Sequence, residues 1–322
     1  MLKKSLITTL LGGLLLSSPL SYANQAGNDN HETKRRATIT DFPRVKALAE
    51  KGNAGAQNNL GLMYQTGDQV KQDGKLAVQW LEKAAKTLPE AKYNLGQTYL
   101  EGLAGEKKDY EKARSWFEKA ANDGYASAQF HLGQMYYLPQ GIQKDDKQAI
   151  KWFSLAAEQG HKNAQFNLGQ YYWFGKGGLK KDPQKAKELL EKASAQGQIE
   201  AQALLGMIYL SGEGVEQDFA KAKPLLENAS KEGNADALFH LGLMYGDGLG
   251  VTKDTHKAIQ YYTEAASKNS SRAQFNLGAI YANGTDVPQD IDKAKRYFTQ
   301  ACNNGQQEGC DAIKQIEKAI AQ

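Results

Sequence analysis

The chain has 322 residues, 41% of them hydrophobic, with 40 Lys and Arg against 36 Asp and Glu. A formal net charge of +4 gives no argument for nucleic acid or for an acidic membrane surface as partner. Length alone suggests about two globular domains, a prior that an internal period replaces with one elongated array.

Lys3 and Lys4 precede an apolar run from Leu6 to Leu16, and Ser21-Tyr22-Ala23 offers small residues for cleavage, so residues 1–23 read as a secretory signal peptide. The run is too short to span a bilayer as a mature helix. No cysteine follows the cleavage site to carry a lipid, and no later stretch is apolar for long enough to cross a membrane. The expected product starts near Asn24, carries a net charge of +2 and resides in the periplasm or is secreted, with no stable membrane insertion. Residues 24–40, with Gly27, Asn28, Asn30, Lys34, Arg35 and Arg36, have almost no apolar content and read as a disordered linker.

Residues 41–52, "DFPRVKALAEKG", match a lone second helix of the repeat described next and form an N-terminal cap helix. Seven units follow over about 53–305. Their mark is a Leu-Gly pair with glycine at Gly61, Gly96, Gly133, Gly169, Gly206, Gly242 and Gly278, at intervals of 35, 37, 36, 37, 36 and 36 residues. Alanine stands five residues before each glycine, from Ala56 to Ala273. Tyrosine stands three after it, at Tyr64, Tyr99, Tyr136, Tyr172, Tyr209, Tyr245 and Tyr281. These positions share one face of a helix.

A glycine inside a helix costs about 1 kcal/mol relative to alanine, or about 7 kcal/mol over seven units. Packing must return more than that. The missing side chains are expected to let neighbouring helices approach and successive hairpins nest.

Each unit's second helix opens on a capping aspartate, Asp73, Asp109, Asp145, Asp182, Asp218, Asp254 or Asp290. Alanine follows four residues on. A bulky pair comes next: Trp80-Leu81, Trp116-Phe117, Trp152-Phe153, Leu189-Leu190, Leu225-Leu226, Tyr261-Tyr262 or Tyr297-Phe298, and then a second alanine. Glycines such as Gly124 and Gly160 stop the second helices, with Asn269 substituting once. Glycines from Gly67 to Gly284 stop the first helices. Pro139 takes that slot in the third unit, which predicts an altered loop turned by Gly141. Thr87-Leu88-Pro89 replaces the glycine turn at the first junction, and Pro224 inside the fifth unit's second helix predicts a kink. Residues 306–322 form a C-terminal cap helix, with Lys314 in the glycine slot and Glu317 in the tyrosine slot.

The pattern Ala-Gln-x-x-Leu-Gly-x-x-Tyr, glycine loop, Asp-x-x-x-Ala and bulky pair closely resembles the Sel-one-like repeat family, relatives of the tetratricopeptide solenoids, over residues 41–322. The resemblance implies an all-α, right-handed superhelical solenoid of about seven helix-turn-helix repeats with half-repeat caps at both ends. It implies a protein or peptide partner on the concave face, no cofactor and no catalysis. Exported members resemble adaptors of envelope signalling or factors that engage host proteins. Cysteine-rich relatives associated with β-lactam binding or hydrolysis supply the enzyme alternative, yet no Ser-x-x-Lys occurs in the chain.

Cys302 and Cys310 are spaced to bridge a helix-helix turn in an oxidising compartment, with a pair of free thiols as the alternative. His131 and His240 share a slot with Asn59, Asn94, Asn167 and Asn276, a hydrogen-bonding position rather than a metal site. His161 and His256 stand at turns or helix starts without an evident partner. Gly175-Lys176-Gly177-Gly178 lacks the ending and preceding strand of a phosphate loop. What remains is surface. Slots minus three, plus one and plus four around the central glycine are expected to line the concave wall. In units two to four they hold Tyr93, Gln97 and Leu100; Phe130, Gln134 and Tyr137; and Phe166, Gln170 and Trp173. Aromatics and amides on adjacent rungs suit a peptide trough. For the minus-three aromatics, packing between helices is the competing reading. The expected chain is monomeric.

Overall fold

The computed structural model describes residues 41–320 except 106, 139–141 and 285. The signal read over 1–23, the linker over 24–40 and the loop feature at Pro139 and Gly141 lie outside the described residues. Among the described residues there are sixteen α-helices and no strand, arranged as an all-α repeat solenoid.

A lone helix, α1 (Phe42–Glu50), precedes seven hairpins. Their first helices are α2 (Ala54–Thr66), α4 (Pro89–Glu101), α6 (Ala126–Tyr137), α8 (Lys162–Phe174), α10 (Ile199–Ser211), α12 (Ala235–Asp247) and α14 (Ser271–Asn283). Their second helices are α3 (Gly74–Ala84), α5 (Tyr110–Asn122), α7 (Asp146–Glu158), α9 (Pro183–Ala195), α11 (Phe219–Lys231), α13 (Thr255–Ser267) and α15 (Ile291–Asn303). Helix α16 (Gln307–Ile320) ends the array. Every helix packs on the next in chain order.

The seven aspartates cap as their spacing predicts. Each accepts from a backbone N–H two or three residues ahead, at 2.8–3.1 Å. Their own backbone N–H groups do something the sequence did not announce: each donates to the carbonyl of its unit's repeat tyrosine, at 2.8–2.9 Å. The start of each second helix is thereby tied to the end of the first, while loops of different length bulge between the ties. The glycines that stop the helices have positive φ, as does Asn269 at 63°. Helix α11 runs continuously through Pro224.

The central glycines close each hairpin on itself. A Cβ on Gly96 would lie 2.5 Å from the ring of Phe117, and one on Gly242 would lie 2.5 Å from that of Tyr262. Gly61, Gly133, Gly206 and Gly278 meet Leu81, Phe153, Leu226 and Phe298 almost as closely, at 2.6–2.7 Å. The expectation that these glycines let successive hairpins nest is therefore corrected. They receive the second member of their own unit's bulky pair, which is buried in all seven units. The first member stays half-exposed except at Trp152.

Successive hairpins are joined by other residues. The alanines five before each glycine are buried, all but Ala56 completely. The glutamine after them reaches back eight residues to a carbonyl near the end of the preceding second helix: Gln57 to Ala49, Gln129 to Ala121, Gln165 to Ala157 and Gln274 to Ala266, at 3.1–3.2 Å. A helix's last carbonyls lack intrahelical donors, and here a neighbouring unit supplies one. At the first junction Leu88 stands at the N-cap without a side-chain bond, and Pro89 fills the first helical position.

Candidate binding surface

Seen down a first helix, with the glycine direction as zero, slots plus four and minus three lie at about 40° and 60°, at 100° per residue. They flank the second helix that the glycine faces, and most are covered. Phe130 is 1%, Phe166 2% and Trp173 2% exposed. The Phe130 ring lies 5.9 Å from that of Phe153, and Trp173 joins Phe166 and Leu205 in the core. These three residues are thus removed from the expected trough, Phe130 and Phe166 by the packing reading already open for them and Trp173 as a correction: they fill the array and offer no free contact area. Tyr93 and Tyr137 remain half-buried, as do Leu100, Gln97 and Gln134, whereas Gln170 is 8% exposed.

A more exposed stripe lies further round, at slots plus one, plus five and minus two, at about 100–160° by the same count, although Asn94, Asn167 and Gln170 on it are buried. In unit two it carries Asn94, Gln97 and Glu101, in unit three His131, Gln134 and Leu138, and in unit four Asn167, Gln170 and Phe174. The Gln97 amide donates to the Tyr93 hydroxyl at 2.7 Å, and its Oε1 has no hydrogen-bond partner. The Oδ1 of Asn167, a residue only 4% exposed, has none either. Beside Asn167 is a cavity of about 30 Å³ lined by Tyr137, Phe153, Tyr171, Phe174 and Lys176. Tyr137 and Tyr171 meet edge to face at 5.9 Å, and the Tyr171 hydroxyl donates to Asp146 at 3.0 Å. The cavity therefore sits where the third and fourth hairpins join, with apolar walls and an unpaired amide oxygen.

The shared Asn and His slot divides. Asn94 donates to Asn58 of the preceding unit at 2.8 Å, and His131 Nδ1 bonds the Ser127 carbonyl at 2.9 Å. His240 is buried with Nδ1 unpaired, and burial, with Arg272 nearby, holds its pKa down at about 3. His161 has partners after all. Its Nδ1 accepts from Ala164 N–H at 3.3 Å, capping α8, and its ring stacks on Phe130 at 4.5 Å. Among the described residues no group of three His, Cys, Asp or Glu is placed to hold a metal ion, and no helix is long and apolar enough to cross a membrane. Cys302 and Cys310 are joined as a disulfide.

A further row follows from the lysine three residues after the capping aspartate. Lys112, Lys185, Lys221, Lys257 and Lys293 each stand over the repeat tyrosine of their own unit, 4.0–5.4 Å from the ring centre. Lys257 and Lys293 also donate to the tyrosine hydroxyls at 2.8 and 2.9 Å. Tyr209 instead donates to Glu191 at 2.6 Å, and burial, reinforced by that bond, pushes its pKa up to about 12. The recurrence of Asp-x-x-Lys-Ala was the available sign of this row.

The Sel1 repeat matches residues 54–86, 89–125, 126–161, 162–198, 199–234, 235–270 and 271–306, one match per hairpin. The chain belongs to the Sel1 repeat family. Among solved Sel1-type structures it is similar to c5321, described as a protective antigen of uropathogenic Escherichia coli with an SLR fold. That likeness has a TM-score of 0.71 and 33% identity, over 86% of this chain and 59% of that one. A Sel1 repeat protein from Oxalobacter formigenes superposes with a TM-score of 0.62 at 29% identity, over 91% of this chain and 83% of that one. The component HRD3B of an ERAD-associated E3 ubiquitin-protein ligase from Arabidopsis thaliana is 35% identical over 105 residues, which are 32% of this chain and 16% of that protein. The alginate biosynthesis protein AlgK of Azotobacter vinelandii is 38% identical over 84 residues, 26% of this chain and 18% of that protein. The matched stretch thus spans under a fifth of these two curated relatives. Proteins of the Sel1 repeat family are typically scaffolds for protein–protein interaction.

Proposed function

We propose that the protein is an exported, non-catalytic interaction scaffold that binds a protein or peptide along the open stripe of its first helices, on the concave side of the solenoid. The observation that carries this reading lies in units two to four: half-exposed Gln97 and Gln134, and half-exposed Tyr137 at a small cavity that Asn167, whose Oδ1 has no partner, also lines. Rigid helices hold these residues, and unpaired polar groups beside apolar walls are what a partner can satisfy. The relatives' descriptions, a ligase component, a protective antigen and an alginate biosynthesis protein, share no chemistry, as expected where the fold supplies a surface rather than a reaction.

Export rests on the leader read over 1–23, with cleavage after Ala23 and a monomeric product. Two settings fit it, an adaptor in envelope signalling and a factor that engages host proteins. Fractionation separates them, since the first requires retention in the periplasm and the second requires the protein in culture supernatant. Binding itself is tested by crosslinked pull-down with the parent and with Gln134→Ala/Tyr137→Ala. The double variant is expected to lose the captured partner while keeping its melting temperature within a few degrees. Undiminished capture would remove this surface from the proposal.

A further inference from the structure

The loop between the two helices of the fourth hairpin carries Lys176, Lys180 and Lys181 and no acid before the capping Asp182. It settles on the start of α7 in the hairpin before it, where a Cβ on Gly177 would lie 2.6 Å from Ile150 and 3.1 Å from Asp146. That contact brings the loop beside Lys144 and Lys147, which flank Asp145 and Asp146. The carboxylates of this cluster are already engaged. Asp145 and Asp182 cap α7 and α9, Asp146 accepts from the Tyr171 hydroxyl and pairs with Lys144, and Glu213 of the next loop pairs with Lys181. Lys147, Lys176 and Lys180 are exposed and form no ion pair among the described residues.

Three uncompensated ammonium groups on one rim attract an anion that lies across them, in a way that salt screens. The basic stretch is short. In the following loop, residues 212–217 present Glu213 and Glu216 and no base. A nucleic acid repeats its phosphate at every nucleotide and would run on into those carboxylates, whereas a short acidic segment would not. Lys176 also lines the cavity with Tyr137, so the rim is continuous with the binding surface proposed above. Resting on that reading, we infer that the partner is a protein with a short run of Asp and Glu, which docks on the loop rim of the third and fourth hairpins through Lys147, Lys176 and Lys180. The carboxylates steer the partner's approach and fix its orientation on the array.

The probe is a blocked hexaglutamate carrying a neutral dye, titrated with the purified full chain by fluorescence anisotropy at about 20 mM and about 150 mM salt. At the lower salt Lys176→Gln/Lys180→Gln weakens binding by about fivefold or more, and most of that difference disappears at the higher salt. Lys192→Gln/Lys231→Gln removes two exposed lysines from the last turns of α9 and α11, away from the loops, and changes affinity by less than about twofold. Equal weakening by the two pairs, or no binding of hexaglutamate at the lower salt, would overturn the inference. Tighter binding of a thymidine hexanucleotide than of hexaglutamate would overturn it by assigning the rim to nucleic acid. Crosslinked pull-down keeps this inference apart from the reading it rests on. Capture lost in Gln134→Ala/Tyr137→Ala and unchanged in Lys176→Gln/Lys180→Gln would leave the first-helix surface standing and remove the acidic segment. Capture unchanged in both would remove the surface as well.

Discussion

At the scale of single residues the central glycines show how one missing side chain sets a helix spacing. Gly96→Ala places a methyl group 2.5 Å from the Phe117 ring. The clash should outweigh the propensity gain of about 1 kcal/mol and destabilise by about 1–3 kcal/mol. At Gly169 the added Cβ lies 3.1 Å from Leu190 Cγ, so the aliphatic side chain has only a few tenths of an ångström to yield. Gly169→Ala should be near neutral, and urea unfolding of the two variants measures the contrast. His240 makes a pH-dependent contribution. Its folded pKa lies near 3, against about 6.5 in an unfolded chain, so the unfolded state binds more protons between those values. The stability it contributes is complete above about pH 6.5 and falls as pH drops toward 3, by up to ~1.4 kcal/mol per unit. The charged groups beside it are Arg272 and, paired with that guanidinium, Asp236. His240→Asn, a residue that four other units carry in this slot, should lose less stability than the parent between pH 6 and pH 4.

At the scale of elements the hairpins are tied twice, by the aspartate cap and by the bond from the aspartate N–H to the tyrosine carbonyl. Asp218→Ala removes the first tie and keeps the second, so it should lower the denaturant midpoint without separating α10 from α11. The element boundaries were readable in the sequence because caps, stops and the alanine stripe recur in register. The facing of the first helix was harder to read. Ala56, Leu60, Gly61 and Tyr64 identify the buried side, but a helix inside an array has neighbours on three sides, and periodicity reports only the strongest of them. Periodicity therefore leaves both open surface and packing as readings for Phe130 and Phe166 and points Trp173 toward the wall, whereas all three lie on a flank that adjoining helices cover. The glutamine bond to the preceding unit and the lysine over the tyrosine escaped for another reason. Both join residues whose types also suit plain solvent exposure, and only the fold brings their partners within reach.

At the scale of the whole molecule each hairpin touches mainly its neighbours, so perturbations should stay local. The far end illustrates this. Helix α16 packs with Gly309 against the Phe298 carbonyl, exposes Lys314 and Glu317, and is joined to α15 by the Cys302–Cys310 disulfide. Cys302→Ser/Cys310→Ser should weaken that end by about 2 kcal/mol. Hydrogen exchange should then speed up in α15 and α16 and stay unchanged in α4 to α8. The same locality would let the proposed binding surface on units two to four work independently of the caps. The most direct measurement of that role places a photo-crosslinking residue at Gln134, on the open stripe, and in a separate variant at Glu188, exposed on a second helix. Irradiation in the producing cells should give a discrete adduct from position 134 and none from 188. An adduct from 188 alone, or equal adducts from both, would contradict the assignment of the first-helix stripe as the partner's surface.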